Sequence, residues 1–190
     1  MKALGTDYKN ATISTGDFTR LPAGGYIAEI TAVEDKTDKE YLNITFDIAM
    51  GEFKAFYSDE WGKAHPYAHT FVRSYKKTGD PKKDARIMGM FKTFLHAIDE
   101  SNGTNYEPQA ETGFDENLLK GKRIGLVIGY EEYESDRGEI RERTRVTAVK
   151  STDDITKGNY KVPEVKRIAP AAAPSPADDF IRINPDDVPF

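Results

Sequence analysis

EYLNITFDIA, residues 40–49, alternates apolar and polar side chains without a break. Leu42, Ile44, Phe46 and Ile48 share one parity, and Tyr41, Asn43, Thr45 and Asp47 share the other. Successive Cβ atoms of a strand point to opposite faces, so this pattern predicts a half-buried strand with an apolar inner and a polar outer surface. The period extends upstream into GYIAEITAVED (25–35), which puts Tyr26, Ala28, Ile30 and Ala32 on one face. The DKTDKE between the two runs is polar and supplies a hairpin turn.

Downstream, the aromatic-dense stretch from 52 to 77 predicts a third strand near 68–75, with a long loop before it. A helix follows. Asp80 suits its N-cap, Pro81 its first position, and Asn102-Gly103 its end. Ile87, Phe91, Phe94, Leu95 and Ile98 fall at offsets 0, 4, 7, 8 and 11, one apolar stripe. KRIGLVIGYEEY (122–133) and GEIRERTRVTAVKS (138–151) then predict two strands joined by a turn around SDRG. Five strands with one helix between the third and fourth predict a mainly β fold: a five-stranded barrel in the element order of the OB-fold, its open end plugged by the helix. Gly121, Gly125 and Gly129, spaced by four on the fourth strand, suit either close approach of a ligand backbone or relief of a sharply coiled strand.

The chain has 190 residues, 31% of them charged, and 21 aromatic side chains, enough for one core domain with appendages. With no cysteine it has neither disulfides nor thiol chemistry, which fits a reducing cytoplasm. The start, MKALGTDYKN, lacks the apolar stretch of a signal peptide, and no run is long enough to cross a bilayer, so a soluble cytoplasmic protein with no membrane partner is expected. The net charge of −5 is unevenly placed: residues 178–190 carry −3, leaving −2 for the rest. A nearly neutral body has room for a basic stripe.

Four segments follow from these shifts: a lead-in (1–24), the barrel domain (25–160), a Pro/Ala-rich linker (161–177) and an acidic tip (178–190). The linker has no helix or strand period and predicts an extended, disordered tail. An exposed terminal Phe behind a proline-rich leash and repelling carboxylates fits a ligand for another protein better than a piece of the core. Here the chain resembles the single-stranded-DNA-binding proteins of bacteria and their phages, an OB-fold joined by a flexible linker to a run of Asp and Ile-Pro-Phe. Asp186, Asp187, Val188, Pro189 and Phe190 match that tip, with Val in place of Ile, and Asp178 and Asp179 add charge upstream. The match covers only the last few residues; LPAGGYIAEITAVEDKTDKEYLNITFDIAMGEF in the body looks more like proteins of phages that infect Gram-positive bacteria. The resemblance implies that the protein covers single-stranded DNA in replication, recombination and repair, and that the tip docks on enzymes of those processes. Chemically, the tip asks for an apolar pocket beside a Lys or Arg, within a basic rim.

Single strands are held by cations for the phosphates and by aromatic faces for the bases. In EIRERTRV, Arg141, Arg143 and Arg145 share one strand face; they make either a phosphate-tracking stripe or a solvated face ion-paired to Glu131 and Glu132. In FVRSYKK, Phe71, Arg73 and Tyr75 share a face and Lys76 and Lys77 follow; Phe71 also suits the core. Trp61, in a loop with Tyr57 and Tyr67 nearby, stacks a base or pins the loop. Tyr41, facing outward, is a further stacking candidate. Tyr41, Tyr57, Trp61, Tyr67, Arg73, Tyr75, Lys76, Lys77, Arg141, Arg143 and Arg145 are thus the DNA-binding candidates.

No Walker loop, GxGxxG or nucleophile motif is present. His65 and His69 are four apart, but Pro66 between them argues against a helical metal pair. No enzyme, no cofactor and no metal are expected. The partners expected are single-stranded DNA and replication or recombination proteins, with a homo-oligomer left open; a DNA-free adaptor on the same barrel is the alternative.

Overall fold

The computed structural model describes residues 20–168, apart from the side chains of Glu60 and Trp61. The lead-in up to residue 19, the linker from 169 and the whole tip, Asp178, Asp179, Asp186, Asp187, Val188, Pro189 and Phe190, lie outside the described residues.

Five strands form one antiparallel sheet: β1 (Gly24–Lys36), β2 (Tyr41–Ile48), β3 (Thr70–Ser74), β4 (Arg123–Glu134) and β5 (Ile140–Lys150), in the spatial order β3-β2-β1-β4-β5. The fold is therefore mainly β with one long helix, as the periodicity predicts. Leu42, Ile44, Phe46 and Ile48 of β2 are all buried, so the alternation of the opening stretch is the alternation of the core. Helices are α1 (Glu60–Ala64), α2 (Pro81–Asn102), α3 (Tyr106–Gln109) and α4 (Thr152–Thr156), with single 3-10 turns at Thr37–Lys39, Pro66–His69 and Glu116–Leu119.

The predicted ends of α2 hold. The Asp80 carboxylate accepts from the backbone N–H of Lys82 and Lys83, at 2.9 and 3.3 Å, and Gly103 closes the helix in the left-handed region at φ 65°. Of the predicted stripe, Phe94, Leu95 and Ile98 are buried and Phe91 packs at the margin, while Ala97 joins the core. The stripe is buried only over the second half of the helix.

Two expectations are corrected. Ala32 is exposed, because the register slips between Ile30 and Ala32; the extra residue reverses the parity and turns Val33 onto the core. The long loop before β3 contains α1 and the Pro66–His69 turn, so Trp61 sits in a helix.

The glycines of β4 have a reason of a third kind. A Cβ on Gly125 would lie 2.6 Å from the Ser151 carbonyl oxygen and 2.5 Å from the Ile155 side chain, and one on Gly129 would lie 3.1 Å from Pro163. They admit the chain's own return after β5. Gly121 precedes the strand, in a turn at φ 77°. The returning segment stays on the body to residue 168: Lys166 bridges to Glu131 in parallel, its carbonyl accepts from Glu132 N–H at 2.9 Å, and its N–H donates to Tyr130 at 3.1 Å. Residues 161–168, the start of the expected linker, thus run along the length of β4 that β1 leaves unpaired.

Candidate nucleic-acid interface

β3 and β5 are the two edges of the sheet, and between them opens a cleft of about 1510 Å³. Small-molecule pockets usually run to ~300–1,000 Å³ and enclose their ligand. This one is larger and open. Its lining includes Arg20, Arg73, Arg143, Arg145 and Lys166 against three carboxylates, Asp59, Glu131 and Glu142, so it is net cationic in a chain of charge −5. Aromatic side chains interleave with the charges: Phe46, Phe56, Tyr57, Tyr67, Phe71 and Tyr133.

Sheet parity sorts the cations. Arg141, Arg143 and Arg145 lie opposite Tyr133, Glu131 and Gly129, all on one face of the β4–β5 hairpin. Glu131, only 8% exposed, stands in the middle as a shared carboxylate. Arg143 Nε donates to its Oε1 at 2.8 Å and Arg145 NH1 to its Oε2 at 2.6 Å. Burial works against ionising Glu131, but the hydrogen bonds and charges of the two arginines prevail and hold its pKa below the ordinary value. One carboxylate against two guanidiniums leaves a surplus positive charge, and both arginines remain about half exposed. The guanidinium of Arg143 also lies 5.2 Å from the ring centroid of Tyr133. Arg141 is outside this cluster; it pairs with Glu139 at 2.6 Å and lines a separate dent at the hairpin tip with Ser135, Asp136 and Arg137.

Arg73 points the other way. It shares the inward parity of Phe71 and is 9% exposed, its guanidinium carbon 4.8 Å from the ring centroid of Phe71 and 6.0 Å from that of Phe94. NH1 donates to the Val72 carbonyl at 2.9 Å, while the buried Nε has no acceptor among the described residues. Burial pulls its pKa down to about 10, which leaves it charged at neutral pH. A buried charge without a counter-ion costs several kcal/mol, of which stacking on a ring returns about 1–2.

The remaining candidates scatter. Tyr67, which lines the cleft, is 75% exposed and meets the His65 ring edge-on at 5.7 Å. Tyr57 is buried, stacked on His69 at 4.8 Å with Phe46 and Phe56 edge-on, so its faces are already covered. Tyr75 donates to Asp35 at 2.6 Å and packs edge-on against Phe91, away from the cleft lining. Lys76 and Lys77 are exposed just past β3. Tyr41 is half-buried on the outer surface of β2 opposite Ser74. The Trp61 side chain lies outside what is described. The cleft thus gathers Tyr57, Tyr67, Arg73, Arg143 and Arg145, and not Tyr41, Tyr75, Lys76, Lys77 or Arg141.

Three lining residues escape a sequence reading. Arg20 reaches Glu142 of β5 at 2.7 Å across 122 positions of sequence. Lys166 arrives with the returning segment. Tyr133 carried a usable signal, since cross-strand parity in the predicted hairpin sets it among the arginines. Among the described residues no helix is long and apolar enough to cross a membrane, and no group of three or more His, Cys, Asp or Glu could hold a metal ion. No protein-family model matches the chain, and no curated protein matches it.

Proposed function

We propose that the protein binds single-stranded DNA without strong sequence preference, as a non-enzymatic OB-type barrel of the kind found in bacterial and phage replication and recombination. The observation that carries this is the open cleft between β3 and β5, cationic and ring-lined in a chain of net negative charge. Phosphates need cations that are not fully neutralised, and bases need ring faces. Arg143 and Arg145 share one carboxylate, and Tyr67 offers an exposed ring. The order β3-β2-β1-β4-β5 with α2 between β3 and β4 fits a five-stranded barrel left open along one seam, and the proposed strand follows that seam.

The sequence adds the second half. The acidic segment 178–190, with its Val188-Pro189-Phe190, recruits replication, recombination or repair proteins to covered DNA, in the cytoplasm of the cell where the protein works. The test is binding of fluorescein-labelled oligo-dT across a salt series. Release of counterions makes binding weaken as salt rises. An adaptor that uses the barrel for proteins alone is the second reading, favoured by the Glu131 clamp on Arg143 and Arg145; it predicts no salt-sensitive binding to oligo-dT. Degradation of the oligonucleotide in magnesium would reveal a nuclease instead.

A further inference from the structure

The three carboxylates of the cleft are each committed. Glu131 is held by Arg143 and Arg145, Glu142 by Arg20, and Asp59 accepts the Gly62 N–H at 2.7 Å as a helix cap. Arg73 is the one cation of the cleft that is buried. Among the described residues its partners are a neighbouring carbonyl and two rings, and its Nε is left without an acceptor. Nature's usual remedy for a buried guanidinium is a carboxylate fork; here two rings lie beside it, and among the described residues no carboxylate is bonded to it. Arg73 lines the open cleft, and a guanidinium with no carboxylate bonded to it among the described residues offers the planar donor set that suits a phosphate.

We propose that Arg73 is a buried anion subsite of the β3–β5 cleft and takes one phosphate group of the bound strand, where the exposed arginines of β5 meet the backbone only at its surface. This rests on the DNA-binding reading. Arg73 remains charged at neutral pH, so the subsite needs no proton uptake to work. The phosphate would supply the counter-charge that the fold withholds, and the free protein would be destabilised by the same group that binding satisfies.

The test uses the full chain and the variant Arg73→Met, which keeps length and ring contact but not charge. Two probes are read. Inorganic phosphate is added against sodium chloride of equal ionic strength, with Tm as the readout. Oligo-dT is titrated at several salt concentrations. The expected result is that phosphate raises the Tm of the wild type and not of Arg73→Met. The variant is also expected to bind oligo-dT about tenfold more weakly, the loss of a charge-assisted contact, with the salt slope shallower by about 0.7, the loss of one phosphate. Equal phosphate stabilisation and equal slopes in both proteins, with oligo-dT bound by both, would overturn the subsite and leave the DNA reading standing. If the wild type binds no oligo-dT, the DNA reading fails; a phosphate effect that still depends on Arg73 would then overturn the strand as its ligand in favour of a free anion. Should Arg73→Met not fold, absence of phosphate stabilisation in the wild type alone is enough to reject the subsite.

Discussion

Glu131→Gln separates the two duties of the β4–β5 face, stability and charge. The substitution keeps the shape of the side chain and removes the negative charge shared by Arg143 and Arg145. Three short contacts, 2.6 to 2.8 Å, lose their ionic character. Both arginines are about half exposed, at 60% and 49% of the side chain, so solvent screens each pair and together they are worth only about 1–2 kcal/mol. For a chain of this size that lowers Tm by roughly 2–8 °C. Binding should move the other way: two arginines released from their carboxylate become available to phosphates, and the slope of log affinity against log salt steepens by up to ~0.7 for each new contact. The assay is a pair of measurements on one variant, thermal unfolding and oligo-dT anisotropy at several salt concentrations. Lower stability with tighter binding is expected. Lower stability with an unchanged slope would refute the assignment of Arg143 and Arg145 to phosphates. The same carboxylate sets a pH dependence. Its pKa in the fold lies below the unfolded value, so its stabilisation is complete above the ordinary carboxylate range and is lost as pH falls through the depressed folded pKa. Glu131→Gln should flatten that part of the acid limb.

Three further outcomes are expected. Gly125→Ala forces a Cβ to within 2.6 and 2.8 Å of the Ser151 and Lys150 carbonyl oxygens, and overpacking of that kind costs about 1–3 kcal/mol; an unchanged Tm would mean that α4 does not rest on β4. His69 is buried with Nδ1 unpartnered and its pKa lowered, burial being the larger cause and Asp47 opposing it, so the unfolded chain takes up the proton first and stability should fall as pH drops below about 6.5. In His69→Phe, which keeps a ring on Tyr57, that part of the slope should vanish; a slope that persists assigns it to another group. Removing residues 178–190 takes away −3 of charge and should tighten oligo-dT binding at low salt, if the acidic tip competes for the cleft; equal affinities would dismiss that competition.

What was legible in the chain was whatever depends on neighbours in sequence. The parity of Leu42, Ile44, Phe46 and Ile48 and the caps at Asp80 and Gly103 are local, and both appear in the fold as read. One inserted residue at Thr31 was enough to exchange Ala32 for Val33, because period-2 patterns carry no memory of a slip. The cleft depends on which strands end as edges. That placed Arg73 and Tyr57 inside, although Arg73 was read for DNA from the face it shares with Phe71 and Tyr75, and Tyr57 from its nearness to Trp61. Arg20 and Lys166 join the cleft from opposite ends of the described chain, a pairing no spacing rule reaches. Ion pairing of the three arginines to Glu131 and Glu132 was one of two readings open at the start. Arg143 and Arg145 do pair with Glu131, but Arg141 pairs with Glu139 and Glu132 lies opposite Glu142, and the surplus arginine leaves the phosphate reading open.

The central claim is met most directly by titrating the full protein with a labelled 30-nucleotide oligo-dT between 20 and 300 mM salt. With two to four phosphates engaged, binding should weaken with a slope of about −1.4 to −2.8 on the double-logarithmic plot. An absence of binding at the lowest salt, or an affinity indifferent to salt, would contradict it.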